Sequence, residues 1–281
     1  VVVRLRPRPN LDVNRHFMCD TGRADYRWMN RGDRLEAPLV RDAQRLGPAD
    51  WETALARLAA LVAEAKGRAV LLASGRASLE SLGWLRRLVD GKDVTAAIKV
   101  PVGDEAPLAG VPNLALRKER VPNLDGARLT GYATMWEDAL RAVDATGLVI
   151  VLDAELDDAE AERVSGAGAL VVMHTVDDER LKTAALVLPT TSMAEENGSY
   201  VNRDGRVQRF TGARAAPGMA RPAWWIAAEA WALGGSGRQA PGAAADAFAR
   251  LSETVPALGG LTYRDLGHTG RVLETAAAMA R

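Results

Sequence analysis

The chain has 281 residues, of which 48% are apolar and 26% charged, as in an ordinary folded domain. Its 36 basic and 36 acidic side chains cancel, so no general attraction to nucleic acid is indicated. No apolar run approaches the ~18 residues that a membrane-spanning helix needs, and the single cysteine, Cys19, excludes an internal disulfide and points to a reducing compartment.

The first forty residues are rich in Arg and Pro. Val1–Leu5 reads as the end of a strand, and the RLRPRP stretch after it as an extended, solvated arm, because proline fixes φ and constrains the residue before it. The segment has no signal-peptide core, and the chain opens on Val1, so it reads as a piece of a larger protein. From Pro48 a helix is expected, capped by Asp50, with Leu55, Leu58, Ala59 and Val62 on one face and Gly67 at its end. Ala69–Ala73 is a short buried-type strand and Ala77–Val89 a second helix. This alternation favours a parallel sheet. Ala96–Val121, crowded with proline and glycine, reads as a long loop.

Thr134 and Glu137 have the spacing of a capping box and predict a helix carrying Trp136, Leu140 and Val143. Gly147–Asp153 is the strongest strand, apolar throughout and suited to burial on both faces. A polar helix over Asp157–Val164, a strand over Ala169–Met173, a short helix over Asp177–Thr183 and a strand over Ala185–Leu188 complete a Rossmann-like unit. Asp204–Gly205, between Ser199–Asn202 and Arg206–Phe210, marks a hairpin turn. Helices are expected over Pro222–Leu233, Ala243–Val255 and Arg271–Ala280, with Gly234–Gly242 as connector. The fold class is therefore α/β: a Rossmann-like parallel sheet with flanking helices, a small β-hairpin region and a helical tail.

Chemical motifs are sparse. No glycine-rich phosphate loop follows a strand, and no GxSxG or HExxH occurs. His174 follows a strand, where it is either a ligand-facing residue at the carboxyl end of the sheet or a hydrogen-bonded loop residue. The acidic run Glu155–Glu162 reads as a solvated helix face. Trp224 and Trp225 diverge by about 100° on a helix, so one packs inward while the other meets a neighbouring element or a partner surface.

Two blocks go further. Cys19, Gly22 and Arg23 within Asp12–Asn30 match a Cys-x-x-Gly-Arg pattern, and Arg34, Pro38, Val40 and Arg41 continue it. Glu196, Gly198, Ser199, Asn202, Asp204, Gly205, Arg206 and Gln208 match a second pattern. Both resemble the molybdopterin oxidoreductase family, and within it the group formed by the G subunits of NADH-quinone oxidoreductase, respiratory complex I. Val121–Tyr132 resembles the same group. The resemblance implies three parts: the end of a [4Fe-4S]-bearing domain over 1–47, a reduced α/β domain over 48–233 and a helical tail over 234–281.

It further implies that Cys19 is the fourth ligand of a [4Fe-4S] cluster whose other ligands lie upstream. Thr21 stands where molybdenum-containing members carry lysine, and no later cysteine is present to bind metal, so no molybdopterin is expected. The implied partners are the other peripheral-arm subunits of complex I, with membrane contact only through the complex at the cytoplasmic face of the inner membrane. The chain is then a scaffold and electron-transfer part of an oxidoreductase, not catalytic alone. The alternatives are a fragment of a catalytic enzyme such as formate dehydrogenase, or a Rossmann-like interaction module without redox role. Within the second block, Glu196 and Arg206 are expected to form an ion pair bracing the hairpin, with Asn202 and Gln208 satisfying backbone groups.

Overall fold

The computed structural model describes residues 1–274 except 19, 44, 66, 109 and 110. The expected cluster ligand Cys19 thus lies outside the described residues, as does most of the expected last helix. In chain order, α1 (Asp20–Ala24) and a 3-10 turn at Arg27–Asn30 precede β1 (Leu39–Arg41) and β2 (Leu46–Pro48). Next come α2 (Trp51–Glu64), β3 (Arg68–Ser74), α3 (Leu79–Leu88) and β4 (Asp93–Lys99). A hairpin of β5 (Ala106–Leu108) and β6 (Val111–Leu116) leads to α4 (Leu124–Leu129) and α5 (Trp136–Arg141). The unit continues through β7 (Leu148–Leu152), α6 (Asp158–Ser165), β8 (Ala169–His174) and β9 (Leu186–Pro189). A second hairpin, β10 (Gly198–Val201) and β11 (Arg206–Phe210), is followed by α7 (Ala223–Leu233), α8 (Ala244–Ser252), α9 (Tyr263–Leu266) and β12 (Arg271–Val272).

Seven strands form the main sheet in the order β2-β1-β9-β8-β7-β3-β4. The five from β9 to β4 are parallel, while β1 runs antiparallel to both β9 and β2. Side chains alternate across a strand, so the two faces build two separate cores. Leu71, Leu148, Ile150 and Met173 pack under α2, α3 and α7. Val70, Leu72, Val149 and Val151 pack under α5 and α6. A third cluster, with Leu79, Val201, Val207 and Phe248, joins the second hairpin to the helical tail.

The α2 helix starts where its residues require. The Asp50 side chain accepts the Thr53 amide at 2.8 Å, and Leu55, Leu58 and Leu61 are buried. Asp50→Ala removes this cap and is expected to lower the urea midpoint at constant slope.

The structure departs from the sequence reading in several places. Val1–Leu5 is not a strand. The Val2 backbone instead exchanges hydrogen bonds with the Asn30 side chain, at 2.8 and 2.7 Å. The supposed loop from Ala96 begins inside β4, which pairs with β3 along its whole length. Two alanines give β4 a weak apolar signal, and pairing with a neighbour, not propensity, makes it a strand. The Thr134 capping box does not form. Ala133 is tied to β4, with Ile98 N–H donating to its carbonyl at 3.0 Å, so the helix begins one residue late with Met135 as an uncapped start. Capping boxes form instead at Asp157–Glu160 and at Thr262–Asp265. The short helix after Asp177 is only a 3-10 turn over Glu179–Leu181, and Arg271–Val272 adds a strand to the second hairpin.

Candidate functional site

From β3 the chain moves through α3 to β4 at one edge, then returns to lay β7 on the other side of β3 and continues to β8 and β9. Strand order therefore reverses between β3 and β7. Ligand crevices in open α/β sheets form outside the carboxyl ends of strands at such a reversal. A cavity of about 950 Å³ lies there, lined by Ser74 at the end of β3 and Arg76 beyond it, Leu152 and Asp153 at the end of β7, His174 and Thr175 at the end of β8, and Thr191 and Ser192 after β9. Its roof is the N-terminal segment: Leu5, Met18, Asp25, Trp28, Met29 and Arg31 also line it.

That roof is held by one acid. The Glu195 side chain is fully buried, and Arg34 grips it bidentately, Nη1 to Oε1 at 2.8 Å and Nη2 to Oε2 at 2.7 Å. Arg214 Nε donates to Oε1 at 2.9 Å, its Nη2 donates to the same oxygen, and the Ser192 amide donates to Oε2 at 2.8 Å. Both arginines reach on to backbone around the roof. Arg214 Nη2 donates to the Met29 carbonyl at 3.1 Å and Arg34 Nε to the Thr175 carbonyl at 2.9 Å. Burial opposes ionisation of Glu195, but the hydrogen bonds from Arg34, the Ser192 amide and Arg214 outweigh it and hold the carboxyl down at about 2. Arg76 adds a second tie, with Asp25 at 3.5 Å and the Trp28 ring centroid at 5.8 Å.

The adjacent Glu196 behaves oppositely. It is buried, accepts the Thr191 hydroxyl at 2.8 Å, and lines the cavity. Burial pushes its carboxyl up to about 8, against the hydrogen bonds from Thr191 and Ser78 and with the help of nearby Glu80. Glu80, in the first turn of α3, is completely buried and pushed up to about 7 by burial. The Ser199 amide and hydroxyl each donate to it at 2.8 Å, and the Tyr263 hydroxyl at 2.7 Å. Neither Glu80 nor Glu196 forms an ion pair among the described residues. Asp153 closes β7 with φ 46°, a left-handed conformation that non-glycine residues rarely adopt, and is held there by the Thr175 amide at 2.7 Å and the Thr190 hydroxyl at 3.0 Å.

His174 stands at the carboxyl end of β8 facing this cavity. It is 5% exposed, and neither ring nitrogen has a hydrogen-bond partner; the buried Ser192 hydroxyl is also unpaired. Of the two readings of His174 in the sequence, the hydrogen-bonded loop residue does not hold. The expected Glu196–Arg206 ion pair does not form either. Register pairs Val201 with Val207 and Gly198 with Phe210, which puts Glu196 and Arg206 at opposite ends of the hairpin. Arg206 pairs with Asp12 at 3.5 Å instead. Asn202 does serve the backbone, accepting the Asp204 and Arg206 amides at 3.0 and 2.9 Å. Within the acidic run Glu160 is not solvated: it pairs with Lys99 and accepts the Trp136 indole N–H at 2.8 Å. Trp224 is buried, and Trp225 meets Trp51 edge to face at 5.4 Å.

Four of the cavity's five lining cations pair with an acid. Arg31 donates to Asp33 at 2.8 Å, Arg76 lies in ion-pair range of Asp25 and Glu155 at 3.5 and 3.8 Å, Lys99 donates to Glu160, and Arg180 donates to Asp178 at 2.9 Å, whereas Arg120 donates to a backbone carbonyl, that of Asp104, at 2.6 Å. Asp25, Asp153, Glu155, Asp157, Asp177, Asp178, Glu179 and Glu196 outnumber them. A Cβ on Gly75, in the turn after β3, would come within 2.6 Å of Val121, so that glycine makes room for a side chain rather than a ligand. The head of α3 is likewise self-satisfied, with Ser78 Oγ accepting the Ser81 amide at 3.2 Å and Glu80 accepting its own amide. No group of three or more His, Cys, Asp and Glu side chains able to hold a metal occurs among the described residues.

Comparison with known proteins bears on this architecture directly. Residues 114–230, from β6 to α7, match the family model described as Molybdopterin oxidoreductase. This segment belongs to that family. The G subunit of NADH-quinone oxidoreductase from Streptomyces coelicolor is 34% identical over 100 residues, covering 34% of this chain and 12% of the relative. That of Pseudomonas putida is 41% identical over 87 residues, covering 31% and 9%. The alpha subunit of F420-dependent formate dehydrogenase 2 from Methanococcus maripaludis is 30% identical over 122 residues, covering 43% and 18%. The matched stretches thus span less than a fifth of each of these relatives. The second motif block, with Glu196 and Arg206, falls inside the family segment, whereas Cys19 falls before it. Sequence reasoning placed the bracing charge on Glu196 and missed Glu195. The paired arginines far away in sequence, Arg34 and Arg214, were the only signal that could have found it.

Proposed function

We propose that this chain is the scaffold part of a G-type subunit of an NADH-quinone oxidoreductase. It seats the segment bearing Cys19 on a family α/β domain that has given up its pterin. The observation that carries this reading is the buried Arg34–Glu195–Arg214 hub, which fastens Met29 and Arg34 to the carboxyl ends of the sheet. The relatives from NADH-quinone oxidoreductase support it, since two of them reach 34% and 41% identity over their matched stretches. In the assembled protein Cys19 would hold one iron of a [4Fe-4S] cluster as thiolate. The cluster would supply one-electron transfer. The partners are the neighbouring subunits of a peripheral arm on the cytoplasmic face of the membrane. Among the described residues no helix is long and apolar enough to cross a membrane.

A phosphate-bearing pterin does not fit the residues present. Its anionic groups would meet surplus carboxyl groups, cations of which all but Arg120 already pair with an acid, and a self-capped helix head. The formate dehydrogenase relative favours the second reading, a fragment of a catalytic molybdenum or tungsten enzyme. Elemental analysis separates the two, with iron and no molybdenum or tungsten expected. The test of Cys19 is reconstitution of a chain extended upstream. Cys19→Ser is expected to abolish the [4Fe-4S] absorbance and electron paramagnetic resonance signal. A cluster that forms equally well in the variant removes the ligand assignment.

A further inference from the structure

Away from the cavity, three arginines gather where the ends of α3, α7 and α8 come together. Arg87 closes α3, Arg250 closes α8, and Arg238 follows α7. The Arg87 guanidinium lies 4.9 Å from the Trp84 ring centroid and 4.7 Å from that of Trp231. Arg238 lies over the same Trp231 ring at 4.6 Å. The two rings meet edge to face at 5.7 Å, and the buried Trp84 indole donates to the Ala247 carbonyl in α8 at 3.1 Å, which fixes the platform. Arg87, Arg250 and Trp231 are half-buried and Arg238 is exposed.

This cluster carries charge that the chain does not neutralise. None of the three arginines forms an ion pair with a carboxylate among the described residues. Burial lowers the Arg87 pKa, the charges of Arg250 and Arg238 add to this, and Asp90 and Glu253 oppose it from beyond ion-pair range. Helix ends offset part of the repulsion, but they use few donors. Arg238 donates to the Trp231 carbonyl at 3.2 Å and Arg250 to the Gln239 carbonyl at 2.5 Å, whereas Arg87 donates to no described residue. A guanidinium carries five N–H donors in a planar fork, so most of them remain open.

The chemistry of the occupant follows. A cation would meet three like charges, and the Trp231 face that could attract it already carries two guanidinium groups. A wholly apolar surface would bury those charges without a partner. Carboxylates match the forks and can be gripped bidentately. Leu233, 61% exposed two residues past Trp231, offers an apolar neighbour of the same segment a place to lie. Nucleic acid fits poorly, because the 36 basic and 36 acidic side chains cancel and give no extended basic field.

We propose that Arg87, Arg238 and Arg250, gathered about Trp231, form a docking surface for an acidic segment of a partner protein, whose Asp or Glu carboxylates pair with the three guanidinium groups. This deepens the scaffold reading by naming a face that meets a partner subunit, and rests on it for that partner's existence.

A peptide of alternating Glu and Leu, carrying an uncharged fluorophore and titrated with the full chain at low salt, tests the surface by anisotropy. Saturable binding is expected, and a peptide with Gln in place of Glu is expected to bind at least about fivefold more weakly. Arg238→Gln and Arg250→Gln should each weaken the Glu peptide about three- to fivefold, while Arg45→Gln, on the turn between β1 and β2, should not. Absence of saturable binding overturns the surface, as do equal binding of the Gln peptide, arginine variants that bind like the parent, or an equal loss in Arg45→Gln. A single-stranded oligonucleotide that binds more tightly than the Glu peptide and is weakened by the same variants overturns the assignment to an acidic protein segment, as does inorganic phosphate that displaces the peptide at equal concentration. The peptide series is run on the parent chain, so it decides even if a variant fails to fold. Cluster reconstitution with Cys19→Ser reads a different signal, so either proposal can fail alone.

Discussion

Replacing Glu195 with alanine is expected to destabilise the protein by about 3–5 kcal/mol, the usual consequence of leaving buried charges without their partner. Arg34, whose side chain is 5% exposed, would lose both of its carboxylate contacts, and the Ser192 amide and Arg214 would lose theirs. Glu195→Gln keeps the shape but offers an NH₂ group to guanidinium donors, so it should recover only part of the loss. The damage is directional. Hydrogen exchange should rise first in the amides of residues 27–35, because the hub is what joins them to the sheet. The same hub gives an acid limit. Its carboxyl titrates at about 2 in the fold against 4.5 in the open chain. At pH above 4.5 both states are ionised and the hub's contribution, about 3 kcal/mol, is fully present. It is lost as pH falls from 4.5 toward 2. Equal protection of residues 27–35 in parent and Glu195→Ala would remove the hub from its role.

The alkaline side is set by the opposite pair. Glu80 and Glu196 titrate near 7 and 8 in the fold and 4.5 in the open chain. Below pH 4.5 both states hold these protons. Between 4.5 and 7 to 8 the folded state binds more protons than the unfolded one, so stability falls with rising pH, by about 1.4 kcal/mol per pH unit for each group. Urea midpoints are therefore expected to be higher at pH 5 than at pH 8, with the steepest part of the decline complete by the upper value. Glu196→Gln deletes one of the two titrations and should roughly halve the slope while leaving the acid limb untouched. An unaltered slope in that variant would mean that Glu196 is ionised in the fold. Tyr263 extends the effect to the tail, since its hydroxyl donates to Glu80. The contact between α9 and α3 strengthens as Glu80 ionises, and this partly offsets the cost of the buried charge.

Two adjacent glutamates thus take opposite protonation states in one turn. Glu195 faces two guanidinium groups that sequence separation hides, and Glu196 faces hydroxyls and another acid. Composition and spacing treat them alike, and only the environment divides them.

What the chain determines by itself is the layered architecture. Continuous apolar runs such as Leu148–Leu152 have no stable place except inside a sheet covered on both faces, and the five residues are buried as expected. Asp50 and the Asp204–Gly205 turn act through local geometry, so they too are legible, with Gly205 taking φ 67° in the hairpin. The motif blocks that resemble the molybdopterin oxidoreductase family are local strings as well. The edge strand β4, the failed Thr134 cap, the Glu195 hub and the burial of His174 and Glu196 were decided by tertiary structure. Each depends on partners brought from distant parts of the chain, and on burial that changes what a carboxyl or an imidazole will do. Neither can be read from neighbours along a sequence, because hydrogen-bond partners and desolvation are properties of the packed molecule.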